Sequence, residues 1–143
     1  MIHGLDTSFL VAVEVQEHPN HAAARARLAT LFGRGDQVSL TPWVVGEFVR
    51  VVTDAKRFQA PLDLAAAIRR AEEWRNTTEV VQTFTTDRSM SLFAKWMIQH
   101  RLGRKRVTDT LLAATWHDAA ISSILTLNGA DFAIFGCFNI VVP

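Results

Sequence analysis

Four acidic residues stand far apart in the sequence but at similar points in the pattern of predicted elements. They are Asp6, Glu47, Asp109 and Asp131. Carboxylates gathered in a partly buried site repel one another, at a cost of several kcal/mol unless cations offset it. Oxygen ligands with no Cys or His pattern beside them suit hard cations such as Mg²⁺ or Mn²⁺. Such ions generate a hydroxide near neutral pH and neutralise charge on a substrate, so the set could support metal-assisted hydrolysis.

The elements that must position these acids alternate along the chain. Short β-rich runs predict five strands, at residues 2–5, 38–40, 79–84, 123–127 and 139–142. Helical patterns lie between them, from about residue 7, at 21–32, from 42 to about 53, at 61–74, at 89–100 and at 109–120. This alternation predicts an α/β fold with a mainly parallel sheet covered on both faces. Residues 1–143 contain no repeat, low-complexity tract or linker and are predicted to form a single domain.

The predicted topology places the four acids at one edge of the sheet. Asp6 follows the first strand, and Glu47 lies in the helix after the second strand. Asp109 lies at or near the start of the Ala-rich helix, and Asp131 follows the fourth strand. Functional groups of parallel sheets collect where the carboxyl ends of the strands leave the sheet. We therefore expect all four carboxylates at that edge.

Each acid also has an ordinary structural explanation. Asp6, Asp109 and Asp131 stand where an Asp side chain could cap a helix N-terminus, which stabilises a helix by about 1 kcal/mol. Glu47 could instead pair with Arg50, three residues later, for a few tenths of a kcal/mol. Considered one at a time, these residues leave open the choice between a structural role and a shared site.

Taken together, four stretches in chain order resemble the PIN-domain family and, within it, the VapC-type toxins of toxin–antitoxin pairs: LDTSFLVA, TPWVVGEFVR, VTDTLLAATWHDAA and ILTLNGADFAIF. The resemblance implies a three-layer α/β/α fold and a metal-dependent endoribonuclease acting on single-stranded RNA. It implies that the catalytic, metal-binding acids are Asp6, Glu47, Asp109 and Asp131. It also implies a homodimer that is neutralised by a small antitoxin. Residues from about 54 to 90 match no motif, so the RNA that is cleaved stays open.

Within such a site we expect the residues to have different roles. Asp6 and Asp109 would bind Mg²⁺ or Mn²⁺ directly, while Glu47 and Asp131 would bind it directly or through water and orient the attacking water. The side chains expected to support the acids, by hydrogen bonds or by pairing with Glu47 or another carboxylate, are Thr7, Ser8 and Arg50.

A basic stretch immediately precedes Asp109. Four of the 15 basic residues of the chain lie within six positions, at Arg101, Arg104, Lys105 and Arg106. Contacts to phosphate supply most of the sequence-independent affinity for nucleic acid. We therefore predict that Arg104, Lys105 and Arg106 bind RNA, with a solvated loop as the alternative.

Two other acids are assigned ordinary roles. Asp87 is predicted to cap the helix that begins at about Ser89. Asp118 lies nine residues after Asp109. At about 100° per residue it falls on the opposite face of that helix, so we exclude it from the site.

Composition excludes several other classes of protein. The formal net charge is +1, and the single cysteine, Cys137, excludes an intrachain disulfide and a multi-cysteine zinc site. No signal-peptide pattern opens the chain and no apolar run reaches the roughly 18 residues of a membrane span, so we expect a cytoplasmic protein without a membrane partner. Two alternatives to the nuclease stay open. One is a catalytically inactive PIN-like module that binds RNA or protein. The other is a phosphotransfer or nucleotide-binding domain, although no Gly-rich phosphate loop is present.

Overall fold

The computed structural model describes residues 1–143 and contains one sheet of five short strands. The strands are β1 (Ile2–Leu5), β2 (Gln37–Leu40), β3 (Val80–Gln82), β4 (Ser123–Leu125) and β5 (Asn139–Val141). Their order in the sheet is β3-β2-β1-β4-β5, and every neighbouring pair is parallel. The prediction of a mainly parallel sheet is therefore confirmed, and the sheet contains no antiparallel strand.

Seven α-helices connect the strands and cover the sheet. They are α1 (Thr7–Glu14), α2 (His21–Gly33), α3 (Pro42–Val52), α4 (Leu64–Arg75), α5 (Asp87–Gln99), α6 (Val107–Asp118) and α7 (Gly129–Ala133). Helix α1 contacts α2 and α3, and α3 contacts α4, whereas α6 contacts α5 and α7. Right-handed crossovers place connections that run in opposite directions along a sheet on opposite faces. The two groups of helices therefore form the outer layers of the expected α/β/α fold.

Local side-chain chemistry sets several helix starts differently from the prediction. The Thr86 side chain accepts a hydrogen bond from the Ser89 amide, and the Ser89 hydroxyl accepts one from the Thr86 amide. Because Thr86 occupies the capping position, α5 begins at Asp87, and the prediction that Asp87 caps this helix is wrong. Helix α4 begins at Leu64 because Asp63 accepts a hydrogen bond from the Ala66 amide. The expected start at 61–62 is also wrong.

The segment before Asp109 is more ordered than the predicted loop. Residues Arg104–Arg106 form one turn of 3₁₀-helix, and α6 continues directly from Val107. After β4, Asn128 occupies the N-cap position of the short helix α7, which carries Asp131. The basic stretch and both acids therefore lie on defined backbone.

The Trp116 side chain fixes α6 against the sheet. Its indole is completely buried, and its Nε1 donates a hydrogen bond to the Ser39 hydroxyl at 3.1 Å. The ring lies so close to Gly4 that a β-carbon there would stand 2.6 Å from a ring atom. Only a glycine on β1 allows this approach, which sets the position of α6 and hence of Asp109 relative to Asp6.

None of the helices combines the length and the apolar character that crossing a bilayer requires.

Candidate active site

Asp6 lies at the carboxyl end of β1, where the chain enters α1. Its side chain is only 6% exposed. It stands at the N-cap position of α1 but makes no capping hydrogen bond. Its Oδ2 instead accepts hydrogen bonds from the Ser8 and Thr126 hydroxyls, each at 2.7 Å. Burial raises the pKa of Asp6, and these two hydrogen bonds oppose that rise.

Thr126 is part of the site although sequence reasoning missed it. The residue is completely buried just after β4, the strand that pairs with β1. Its hydroxyl accepts a hydrogen bond from the Asn128 amide at 2.9 Å, and the Ser8 hydroxyl accepts one from the Leu127 amide at 3.0 Å. The chain after β4 is therefore tied to the same two hydroxyls that hold Asp6. The available signal was the position of a hydroxyl at the end of a strand adjacent to β1.

Asp109 lies in the first turn of α6, and Asp131 lies in the first turn of α7. Neither residue occupies the N-cap position, which belongs to Arg106 and Asn128 respectively. Burial raises the pKa of Asp109 to about 6, with further contributions from the charges of Asp6 and Asp131. Asp109 therefore lies close enough to both Asp6 and Asp131 for their charges to affect it.

Arg106 supplies a positive charge between two of these acids. Its Nη1 lies 3.0 Å from Asp131 Oδ1, and its Nε lies 3.9 Å from Asp109 Oδ2. Its Nη2 also donates a hydrogen bond to the Asp131 carbonyl oxygen. Two carboxylates therefore share one guanidinium, and the pKa of Asp109 stays raised despite it. Of the three residues predicted to bind RNA, Arg104 and Lys105 are exposed and Arg106 is engaged by acids.

Glu47 lies on α3 and lines the same cleft as Asp6 and Asp109. Its side chain is 37% exposed, and its Oε1 accepts a hydrogen bond from Arg50 Nη2 at 2.6 Å. The pairing that the sequence offered as an alternative is therefore present, in a residue that also faces the acids. Asp118 lies at the other end of α6, where it accepts a hydrogen bond from Thr86 and pairs with Arg88.

The cleft over the acids is open and has a volume of about 530 Å³. Asp6, Asp109 and Glu47 line it, together with Thr7 and Ser8. Basic and aromatic side chains contribute to the same lining, at His18, Arg57, Phe58 and Lys105. Sequence reasoning missed His18, Arg57 and Phe58, because residues distant along the chain carry no motif that places them beside the acids.

The family model of the PIN domain matches residues 5–135, a span that contains all four acids. The chain belongs to the PIN-domain family. This PIN domain is 27% identical to Ribonuclease VapC24 of Mycobacterium tuberculosis over 97% of its own length and 94% of the relative. Among solved structures it is similar to VapC20 of M. tuberculosis, described as a Sarcin-Ricin loop cleaving toxin, with a TM-score of 0.77, 22% identity and full coverage of both chains. It is also similar to VapBC2 of Rickettsia felis, bound to a DNA fragment from its promoter, with a TM-score of 0.71, 14% identity and coverage of 100% and 99%.

The donor atoms of this PIN domain suit a divalent cation. As the side chains stand, no three acidic, histidine or cysteine residues form a closed set around one ion. The oxygen donors of Asp6 and Asp109 nevertheless lie close enough for the charge of Asp6 to raise the pKa of Asp109. Hard oxygen donors with unbalanced negative charge are what Mg²⁺ and Mn²⁺ require. The donor chemistry of these carboxylates is therefore of the kind that such an ion prefers.

Proposed function

We propose that this PIN domain is a metal-dependent endoribonuclease and acts as the toxin of a type II toxin–antitoxin pair. The observation that carries the proposal is the meeting of Asp6, Asp109 and Asp131 at one edge of the sheet, with the pKa of Asp109 raised to about 6. Strongly perturbed carboxylates in a cleft are typical of sites that bind or transform a charged ligand. The similarity to a VapC ribonuclease supports RNA as the substrate.

In this proposal Asp6 and Asp109 hold Mg²⁺ or Mn²⁺, and Glu47 and Asp131 hold it directly or through water. When bound, the ion supplies a hydroxide near neutral pH and neutralises charge on the phosphate. The Ser8 and Thr126 hydroxyls fix the Asp6 carboxylate in one orientation.

The side chains around the acids have separate roles. Arg50 holds Glu47 through a hydrogen bond of 2.6 Å. Thr7 lines the cleft beside Asp6. Lys105 and Arg104 are exposed and bind RNA phosphates, which fixes the strand over the acids. Arg106, which the sequence assigned to RNA, is proposed instead to hold Asp131 and to limit the repulsion between Asp131 and Asp109.

A protein partner follows from the same assignment. The similar solved structures include VapBC-1 of Haemophilus influenzae as well as VapBC2 of R. felis, which supports a cognate antitoxin for this chain. We further propose that the toxin forms a homodimer, and both assemblies are expected in the cytoplasm.

Incubation of the purified protein with cellular RNA tests the proposal. We expect cleavage with Mn²⁺ or Mg²⁺, none with EDTA, and none from Asp6→Asn under any condition. The matched control is Asp87→Asn, which removes an exposed carboxylate on α5 and should leave cleavage unchanged. RNA binding that is insensitive to EDTA, without cleavage, would support the inactive binding module instead. Absence of any interaction with RNA would reject both.

A further inference from the structure

The segment between α3 and α4, residues 54–61, forms one wall of the acidic cleft and is held firmly in place. The Glu17 carboxylate accepts hydrogen bonds from the Gln59 amide at 2.7 Å and from the Ala60 amide at 3.0 Å. At the start of the segment, Asp54 Oδ1 accepts a hydrogen bond from the Lys56 amide at 2.8 Å. Glu17 lies between α1 and α2, so this contact ties two connections of the fold together. Hydrogen bonds therefore fix the position of this segment, although it contains little regular secondary structure.

This segment brings Arg57 to the cleft that Asp6, Asp109 and Lys105 also line. Arg57 comes from the connection after α3, whereas Lys105 comes from the 3₁₀ turn before α6. The acids therefore have a basic side chain from each of two separate elements beside them. His18 lines the same cleft, and burial and the neighbouring His21 lower its pKa.

The guanidinium of Arg57 is free to bind a ligand. Its side chain is 56% exposed, and its Nε lies 3.7 Å from Asp54 Oδ2. An exposed ion pair of this kind is worth about 0–1 kcal/mol, so a phosphate can replace it at little cost. Arg50 and Arg106 differ, because close contacts to Glu47 and Asp131 engage their guanidinium groups.

We propose that Arg57 binds a backbone phosphate of single-stranded RNA, on the opposite side of the scissile phosphate from the phosphate that Lys105 binds. Glu17 is the positioning residue of this subsite, because it holds the segment that carries Arg57. The inference rests on the proposed ribonuclease function. It adds a second phosphate contact, from a part of the sequence that carries no recognisable motif.

Binding of a short mixed-sequence single-stranded RNA, measured in EDTA by fluorescence anisotropy over a series of salt concentrations, tests the proposal. We expect Arg57→Ala to weaken binding several-fold and to reduce the salt slope by about 0.7, the value for one neutralised phosphate of a single strand. Arg57→Lys should recover most of the slope. The matched control is Arg88→Ala, since Arg88 is 89% exposed and pairs with Asp118 at the other end of α6.

Equal affinity and slope for wild type and Arg57→Ala would overturn the subsite, while metal-dependent cleavage by the wild type would leave the proposed function standing. A wild-type protein that does not bind the RNA overturns the subsite as well. Failure of the proposed function is a distinct result, namely no cleavage of cellular RNA with Mn²⁺.

A double-mutant cycle tests the positioning role of Glu17. Glu17→Ala should weaken RNA binding, but in the Arg57→Ala background the same change should have almost no further effect. A decrease in affinity to the same extent in both backgrounds would show that Glu17 acts independently of Arg57. Urea unfolding of each variant distinguishes these outcomes from a loss of folded protein.

Discussion

The acids at the two ends of the parallel sheet have pKa values that are shifted in opposite directions. At the amino end, Asp36 accepts a hydrogen bond from the N-terminal amine at 2.9 Å and lies 3.5 Å from His3 Nε2. The hydrogen bond with the amine lowers the pKa of Asp36. At the carboxyl end, burial raises the pKa of Asp6 and, together with neighbouring carboxylates, raises that of Asp109 to about 6.

The difference indicates that the acid at the amino end has a structural role, whereas the acids at the carboxyl end have the proposed functional role. The amino end pairs its acid with the N-terminal amine, and pairing of opposite charges is the arrangement that stabilises a fold. The carboxyl end brings three acids together, and a single arginine, Arg106, is paired with two of them. Repulsion among these carboxylates does not stabilise the fold, and this supports the proposal that a cation binds there.

Replacement of Asp6 by Asn should have the largest effect. Asp6→Asn removes a proposed metal ligand, and metal charge stabilisation is worth several kcal/mol, so cleavage should slow by roughly a thousandfold or more. Asp36→Asn, at the other end of the same sheet, should leave the cleavage rate of the folded protein unchanged. Gel assays of RNA cleavage with Mn²⁺ measure both. An active Asp6→Asn protein would remove the functional distinction between the two ends.

Two variants, each lacking one hydroxyl at an end of β4, compare the stability that a hydrogen bond to a charged group contributes with that of a hydrogen bond to a neutral group. Thr126→Val removes the hydroxyl that donates a hydrogen bond to the buried Asp6 carboxylate, and it should lower the free energy of unfolding by about 1.5–3 kcal/mol. Ser123→Ala takes one from His3 Nδ1, a neutral pair when the ring is uncharged, and should cost about 0.5–1.5 kcal/mol. Urea unfolding at neutral pH measures both, and an equal or larger destabilisation by Ser123→Ala would contradict the comparison.

The two ends should respond to pH with opposite signs when no divalent metal is present. The folded-state pKa of Asp109 is raised to about 6 from 3.8, so the folded protein loses stability as pH rises through about 6. Asp109→Asn should therefore be more stable than wild type at pH 8, by on the order of 1 kcal/mol for this partly buried group, and the advantage should shrink as pH falls from about 6 to below 4.

Asp36 supplies the matched case of opposite sign. The pKa of Asp36 is lowered from 3.8, so its stabilisation is present above that value and is lost as pH falls further. Asp36→Asn should destabilise the protein at neutral pH and have little effect in acid. Urea unfolding in EDTA from pH 3 to pH 8 measures both variants. A similar pH dependence for the two would show that their environments do not differ as described.

Much of this arrangement follows from pattern, and the rest follows from contacts between distant residues. Alternating elements and the meeting of parallel strand ends predicted that Asp6 and Asp109 would lie at one edge. Thr126 was not predictable, because its role depends on the pairing of β4 with β1. The contact between Arg106 and Asp131 was not predictable for a related reason. Arg106 belongs to a basic run in sequence, but the 3₁₀ turn and α7 bring it against Asp131.

That contrast within the basic run leads to the smallest expected effect. Arg104 and Lys105 are exposed, whereas Arg106 is 27% exposed and held by acids. In EDTA, the double variant Arg104→Ala/Lys105→Ala should weaken RNA binding several-fold and lower the salt slope by about 0.7 for each phosphate that is no longer neutralised. Arg106→Ala should leave the slope unchanged, because a guanidinium already paired with Asp131 does not displace counterions from RNA. Fluorescence anisotropy over a salt series measures both. If the salt slope fell as much for Arg106→Ala as for the variant of the exposed residues, Arg106 would bind RNA, as its place in the sequence indicates. Arg106 would then not serve mainly as the positive charge paired with the acids at the carboxyl end.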